Sequence, residues 1–221
     1  MTLILVQQRT FGDLHVSYLK ELFDKYNCDK GAKHNYHKLY EPLFAKRKDD
    51  PINFLEIGVF KGASTAAIHE YFPNATIYGL DIFERVKPED IDILKDDRVE
   101  WLKGNSLDPS ITSAIEAKWP GIKFDFILDD GAHWPEANKK TMENLIEFLA
   151  KDGIYIIEDV FPMSIMTQSE LNLPWLKQSP DKYDMLKYYE FEDAMKKTGL
   201  EINRYDLRES NAPDSYVVTL S

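Results

Sequence analysis

Cysteine is nearly missing from the 221 residues. Cys28 stands alone, so no disulfide can form within the chain, and a reducing compartment, the cytoplasm, is the expected one. Long apolar runs are missing too. None approaches the ~20 residues a membrane helix requires, so no membrane partner is expected. The apolar stretch at residues 1–6 has neither a basic flank nor a small-residue cleavage site and does not read as a signal peptide. Positive charge is scarce: 27 Lys and Arg face 38 Asp and Glu, a net charge of −11. A chain this acidic is a poor general binder of phosphate backbones, which disfavours nucleic acid and suits a neutral small molecule. Zinc-type Cys/His spacing, a Walker A loop and a G-x-S-x-G elbow do not occur. Neither does G-x-G-x-x-G, and no Tyr/Lys catalytic pair is seen, which counts against a nicotinamide oxidoreductase.

What is present is one domain's worth of core. Hydrophobic residues make up 43% and charged residues 29%, the balance of a soluble globular chain. The length suits a single domain, with 1–50 an N-terminal helical or lid segment and 51–221 an α/β core. Leu14, Tyr18, Leu22 and Tyr26 recur at helical spacing, predicting a helix over 13–27. The polar run from Asp29 to His37 reads as a loop, either a mobile lid or a plain surface loop. A helix from Lys38 to about Arg47 ends at Asp49-Asp50-Pro51.

From there strands and helices alternate. Strands are expected over 52–58, 76–81, 99–104, 124–130 and 153–159. Helices are expected over 64–71, 88–94, 110–118 and 135–150, the last stopped by Lys151-Asp152-Gly153. Residues 160–185, with three prolines, read as a surface excursion. A helix over 188–198 and strands over 201–207 and 215–220 follow, with a turn at 211–214 between the two strands. Near-continuous apolar strands alternating with helices predict a Rossmann-like, doubly wound, mostly parallel sheet with helices on both faces. In such sheets ligands sit beyond the carboxyl ends of the strands. The acids cluster at those ends: Glu56, Asp81, Asp129, Asp130, Glu158 and Asp159.

Each motif has a ligand reading and a plainer one. Gly58 and Gly62 permit a tight turn and close backbone approach, with a helix N-terminus behind them at Ser64; they also suit any β–α turn. Asp81, some twenty residues on, can accept from both ribose hydroxyls, or cap a helix. Asn105 and Ser106 are placed to touch an adenine edge, or to make a turn. Asp129-Asp130 and Glu158-Asp159, on neighbouring strands, repel unless a cation bridges them, and oxygen donors favour Mg²⁺ or Mn²⁺; otherwise they are solvated loop acids. Adjacent strand residues point to opposite sides, so one of Asp129 and Asp130 is the main ligand, with Asp130 preferred for its nearness to His133. His133 is a general base beside the metal or a residue that orients one. Cys28 reads as a half-buried thiol.

Taken together, Leu55–Ser64, Tyr78–Ile82 and Phe124–His133 resemble the class I S-adenosylmethionine-dependent methyltransferases. More narrowly they resemble the metal-dependent sugar O-methyltransferases of the macrolide type. The Asp29-Lys30-Gly31 segment with Tyr36, Tyr40 and Glu41 resembles that subgroup's N-terminal region. The resemblance covers about 29–160 and implies the seven-stranded class I methyltransferase fold. It implies that Glu56, Gly58, Gly62 and Ser64 lie at the methionine part of the cofactor. Asp81 falls at the ribose, Asn105 and Ser106 at the adenine, and Lys30, Gly31 and Tyr40 also on the cofactor side. It implies Asp130 or Asp129, with Glu158 and Asp159, as metal ligands, and His133 with Asp130 as the catalytic pair. The expected activity is methyl transfer to a sugar hydroxyl, of a deoxysugar or a glycan residue, using S-adenosylmethionine and Mg²⁺ or Mn²⁺. A catechol-like acceptor and a non-catalytic nucleoside-binding protein are the alternatives. The chain has no counterpart of the macrolide enzymes' large N-terminal domain. It reads as a minimal catalytic domain, a homo-oligomer or one module of a longer glycan-processing polypeptide.

Overall fold

The N-terminal helices are part of the core rather than an appendage to it. The structure is a computed structural model and describes residues 17–208 and 212–221. The readings at residues 1–16 and at 211, including the absent signal peptide and the start of the first helix, lie outside the described residues. Helix α1 (Tyr18–Lys25) starts at Ser17, whose hydroxyl accepts from the Lys20 N–H at 3.2 Å, the usual way to satisfy a first-turn donor. A short helix α2 (Asp29–Ala32) follows, then α3 (His37–Phe44). The expected loop at 29–37 is therefore mostly helical, and Lys30, His34, Tyr36 and His37 within it are buried.

The sheet is built from β1 (Asn53–Ile57), β2 (Thr76–Asp81), β3 (Val99–Lys103), β4 (Phe124–Asp129), β5 (Leu149–Ile157), β6 (Ile202–Asp206) and β7 (Tyr216–Leu220). Its order is β3-β2-β1-β4-β5-β7-β6. The first five strands are parallel, and β7 runs antiparallel to both β5 and β6. Strand order reverses between β1 and β4. At that switch point the connections leave in opposite directions and open a crevice beyond the strand ends. Helices α4 (Ala63–Tyr71), α5 (Ser110–Lys118) and α6 (Pro135–Leu145) make the crossovers.

Three boundaries differ from expectation. Residues 88–94 form two 3₁₀ turns, Pro88–Asp90 and Asp92–Lys95, parted by the extended backbone of Ile91, which breaks the helical register. Helix α6 ends at Leu145, and β5 begins at Leu149 instead of Gly153. Lys151-Asp152-Gly153 is not a helix stop: the β4–β5 register shifts between Phe124 and Phe126. There a Cβ on Gly153 would lie 3.0 Å from the carbonyl oxygens of Phe124 and Asp125, so glycine marks the irregularity. The excursion at 160–185 holds two short helices, α7 (Gln168–Leu171) and α8 (Pro174–Gln178). Phe161, Met163, Met166 and Leu176 pack there against Tyr188 of α9 (Met185–Lys197). Asp184 caps α9 by accepting from Leu186 N and Lys187 N, so this helix starts three residues early.

Two apolar layers sandwich the sheet. One joins Leu19, Phe23, Tyr36, Tyr40 and Phe44 to Phe54, Phe126 and Ile156 of the strands. The other joins Leu55, Ile57, Ile127, Tyr155 and Ile157 to α5, α6 and α9. Phe44 is fully buried, and its ring meets Tyr40, Phe54, Tyr71, Phe72 and Phe126 at centroid separations of 5.0–6.2 Å. Phe44→Ala is expected to destabilise the chain by about 3–5 kcal/mol, read as a lower urea midpoint with an unchanged slope.

Candidate functional site

The parallel ladder sets the acids level with one another before any side chain is considered. Ile57 pairs with both Leu80 and Asp129, and Asp129 pairs with Ile157. The bonding continues one residue on: Gly58 N donates to Leu80 O, Asp130 N to Ile57 O, and Glu158 N to Asp129 O, at 2.9–3.0 Å. Gly58, Asp81, Asp130 and Glu158 thus form one row across the switch point.

Gly58 sits at φ +92°, and a Cβ there would lie 2.1 Å from the Asp130 carbonyl oxygen. The turn after β1 is held against the turn after β4 by backbone alone, which only glycine permits. Gly62, at φ +77°, caps α4, with Ile91 and Ile93 where a side chain would go. Behind these glycines Glu56 is fully buried. Its Oε2 accepts from the Thr65 hydroxyl, and the buried Ser64 hydroxyl faces the same carboxyl and, like Thr65, favours its charged form. Burial pushes the Glu56 carboxyl up to about 7. Asp81 accepts from Phe60 N at 2.9 Å and Phe83 N at 2.6 Å. One of its lone pairs on each oxygen stays uncommitted. Phe60 and Phe83 both adopt positive φ, so this carboxylate is pinned by a strained pair of turns. Asn105 Oδ1 accepts from Leu107 N at 3.0 Å. Ser106 Oγ lies 2.9 Å from Thr141 Oγ1. Their side chains shape the loop after β3.

The four metal-ligand candidates part company. Asp129 lies on the face of Ile57 and Ile157, 1% exposed. Its Oδ1 accepts from Gly131 N at 3.2 Å, and burial pushes its carboxyl up to about 7. Asp130 projects to the opposite face, as strand alternation requires. There Asp130, His133 and Asp159 each offer a donor atom, all within 4.8 Å of one another. His133 Nε2 stands 3.5 Å from Asp130 Oδ1. Two carboxylates and an imidazole make a set that fits a divalent cation. His133 and Asp159 reach it through positive φ, +50° and +51°, which breaks the alternation at both loops. Glu158 is not in that set. Its Oε1 accepts from the Tyr40 hydroxyl and its Oε2 from the Lys30 ammonium.

Lys30 is the residue whose place the sequence concealed. It is 2% exposed and donates to Asp130 Oδ2 at 2.5 Å as well as to Glu158. Burial alone would lower its pKa, but Asp130 and Glu158 outweigh it and hold the ammonium well above its ordinary value. Tyr36 donates to Asp159 Oδ1. His34, buried and stacked on Tyr36, lies 2.9 Å from Ser215 Oγ and 3.6 Å from Asp159. Segment 29–40 is therefore a fixed wall of the site. Lys30 and Tyr40, expected on the cofactor side, spend their polar ends on carboxylates. Gly31 packs on α1, where a Cβ would meet Asp24 Oδ1 at 2.8 Å and Phe23 at 3.0 Å. Ser215 and Thr65 went unread, since nothing local marks a serine or threonine as a carboxylate's or imidazole's partner.

Comparison with known proteins agrees with this architecture. Residues 55–160 match a family described as a methyltransferase domain. The 8-demethyl-8-(2-methoxy-alpha-L-rhamnosyl)-tetracenomycin-C 3'-O-methyltransferase of Streptomyces olivaceus is 28% identical over 158 residues, 68% of this chain and 37% of its own. The mycinamicin VI 2''-O-methyltransferase of Micromonospora griseorubida is 26% identical over 151 residues, 65% of this chain and 36% of its own. The chain thus spans little more than a third of these relatives' length. Among solved structures, the MycE methyltransferase from the mycinamycin biosynthetic pathway, in complex with Mg and SAH, superposes with a TM-score of 0.65. It is 22% identical, over 92% of this chain and 54% of that one. The fold is that of the class I methyltransferases. Among the described residues no helix is long and apolar enough to cross a membrane.

Glu56 generates a pH-dependent expectation. A carboxyl raised from 4.5 to about 7 on folding binds more protons in the folded than in the unfolded chain between those values. Stability from this group therefore falls as pH rises through that window. Glu56→Gln keeps an acceptor for Thr65 and removes the buried charge. It is expected to stabilise the chain by up to about 3 kcal/mol at pH 8, and by nearly nothing below about pH 4.5. Urea unfolding across that range measures it.

Proposed function

We propose, for a chain that carries a methyltransferase domain on the class I methyltransferase fold, that it transfers a methyl group from S-adenosylmethionine to a sugar hydroxyl at a divalent-cation site. The observation that carries this is the convergence of Asp130, His133 and Asp159 on the crevice beside the Gly58 turn. The relatives' names support the acceptor: they are O-methyltransferases of a rhamnosyl-tetracenomycin and of mycinamicin VI. The neighbour's bound Mg and SAH support the cofactors.

The residues divide the work by their chemistry. Asp81, fixed by two backbone donors, accepts from the ribose hydroxyls. Glu56 and Ser64, buried side by side behind the glycine turn, receive the methionine end, where a carboxylate suits a cationic sulfonium and ammonium. Gly58 and Gly62 keep side chains out of the cofactor's path. Asn105 and Ser106 border the adenine. Asp130 and Asp159 hold the cation, Mg²⁺ or Mn²⁺, which when bound lowers the pKa of an acceptor hydroxyl. His133 takes the hydroxyl proton, and Asp130 beside it orients the imidazole and stabilises its charged form. Segment 29–40 keeps water from Glu158 and covers one side of Asp130, so their field on the acceptor is less screened.

Calorimetry with S-adenosylhomocysteine tests the first half: binding is expected, and its absence overturns the reading. Asp81→Ala should weaken that binding by about ten- to a hundredfold. Incubating a panel of glycosides with labelled S-adenosylmethionine, followed by mass spectrometry, tests the second half. A methylated sugar that disappears with a chelator is expected. His133→Ala should lower kcat by about 10²–10⁴-fold with S-adenosylhomocysteine affinity unchanged; wild-type turnover in that variant removes the base assignment.

A further inference from the structure

The excursion between β5 and α9 carries an apolar core of its own, separate from the two layers that sandwich the sheet. That core is not filled. A cavity of about 180 Å³ lies among Met163, Leu171, Leu176, Lys177, Pro180 and Tyr183. Packed interiors hold few voids larger than a water molecule, and an apolar cavity of about 150 Å³ is enough to take up benzene. Among the described residues that line this one, only Lys177 carries a charge, and a lysine stem lies along an apolar wall while its ammonium stays in water. Methionine in the wall adapts its shape to what it meets. Two links carry the cavity towards the strand ends. Phe161, two residues beyond Asp159, meets the Tyr183 ring edge-on at 5.1 Å between centroids, and two residues span at most about 7 Å of backbone. Lys182, next to Tyr183, holds its ammonium 4.1 Å over the ring of Trp134, next to His133. Burial and the Asp214 carboxylate hold the Tyr183 phenol above its ordinary pKa, and Asp214 O lies 3.5 Å from the Tyr36 hydroxyl that bonds Asp159.

We infer that this cavity is an aglycone subsite, which takes a compact, uncharged apolar group carried by the sugar whose hydroxyl is methylated. It holds about one aromatic ring. The acceptor is thereby narrowed to glycosides of an aryl or short alkyl group, a narrowing that rests on the sugar O-methyltransferase reading proposed above. The lining decides the chemistry. A charged group would lose its water against Met163, Leu171, Leu176 and Pro180, which offer it no partner, whereas a flat ring finds the Tyr183 face and the methionine thioether. Size decides the kind of occupant. A partner protein or a second copy needs about 800 Å² a side for a stable interface, and this hollow accommodates one ring. A glycoside that spans the two places lays its sugar at the strand ends and its ring between Tyr183 and Met163.

The first arm of the test needs no turnover. The full chain is labelled with ¹³C at the methionine methyls, and the Met163 signal is assigned by its loss in Met163→Leu. Phenyl α-L-rhamnopyranoside, whose sugar appears in one relative's name, should shift that signal saturably through the ring current, and the methyl glycoside of the same sugar should not. Leu171→Trp, or Leu171→Phe if the larger residue prevents folding, fills the cavity and should weaken the phenyl glycoside by about tenfold or more. The second arm is kinetic. The phenyl glycoside should exceed the methyl glycoside in kcat/KM by about tenfold or more, and the Leu171 variant should remove most of that difference. An unmoved Met163 signal, an equal shift with the methyl glycoside, or a phenyl effect that survives the Leu171 variant overturns the inference. So does a Met163 shift produced by raising the protein concentration alone, which would put a second copy in the cavity. The two readings fail apart. Methyl transfer to sugar with no preference for the phenyl glycoside sinks the subsite and leaves the proposed function standing. A saturable Met163 shift in a chain that binds no S-adenosylhomocysteine sinks the proposed function, while the cavity keeps its aryl ligand.

Discussion

A buried ammonium between two carboxylates is the interaction on which the rest of the site depends. Ion pairs this deep are costly to make, because both partners lose water, and they persist only when every polar atom is matched. Here the matching is nearly complete: Lys30 bonds Asp130 and Glu158, Tyr40 completes Glu158, and Tyr36 takes Asp159. Removing any one partner strands a charge in a dry layer. The N-terminal helices are thereby locked to the carboxyl ends of β4 and β5, and the aromatic packing around Phe44 locks them to the sheet's face. Polar anchor and apolar anchor lie on the same segment, which is why it forms a wall.

Around that pair, strand geometry sorts identical residue types into different roles. Asp129 and Asp130 are neighbours in sequence and opposites in space. One faces the layer under α6, 1% exposed and raised by burial to about 7; the other faces the wall and the crevice. Glu158 and Asp159 are separated in the same way, and Asp159 regains the site only through a left-handed backbone. Non-glycine residues pay for such a conformation with strain. Its recurrence at Phe60, Phe83, His133 and Asp159 concentrates that strain where loops leave the sheet, around the groups that would touch cofactor and acceptor.

Glu56 shows the same compromise in energetic form. A carboxyl this deeply buried weakens the fold near neutral pH, and a glutamine would be the steadier choice. Its retention is intelligible if a cationic ligand completes it, since binding to the folded state alone returns the lost stability.

Much of this was legible in the residues. The parallel sheet, the switch-point crevice and the row of acids follow from hydrophobic periodicity and from acids placed where apolar runs stop, because short-range patterning governs strands and helices. The glycine turn at 58–62 and an acid at Asp81 follow from the same logic, while the backbone amides that pin that acid do not. Features that depend on distant partners were not legible. The register shift at Gly153 depends on β4, far away in sequence, and the helical form of 29–32 depends on burial that polar residues do not advertise. The site divides along the same line. Sequence alone determined which carboxylates stand at the strand ends and, through the two-residue period, that neighbours must part. Only the tertiary structure decided which partner each of them meets, because the buried ammonium between Asp130 and Glu158 comes from Lys30, a hundred residues from the first and more from the second. No local rule reports a lysine buried against partners so distant.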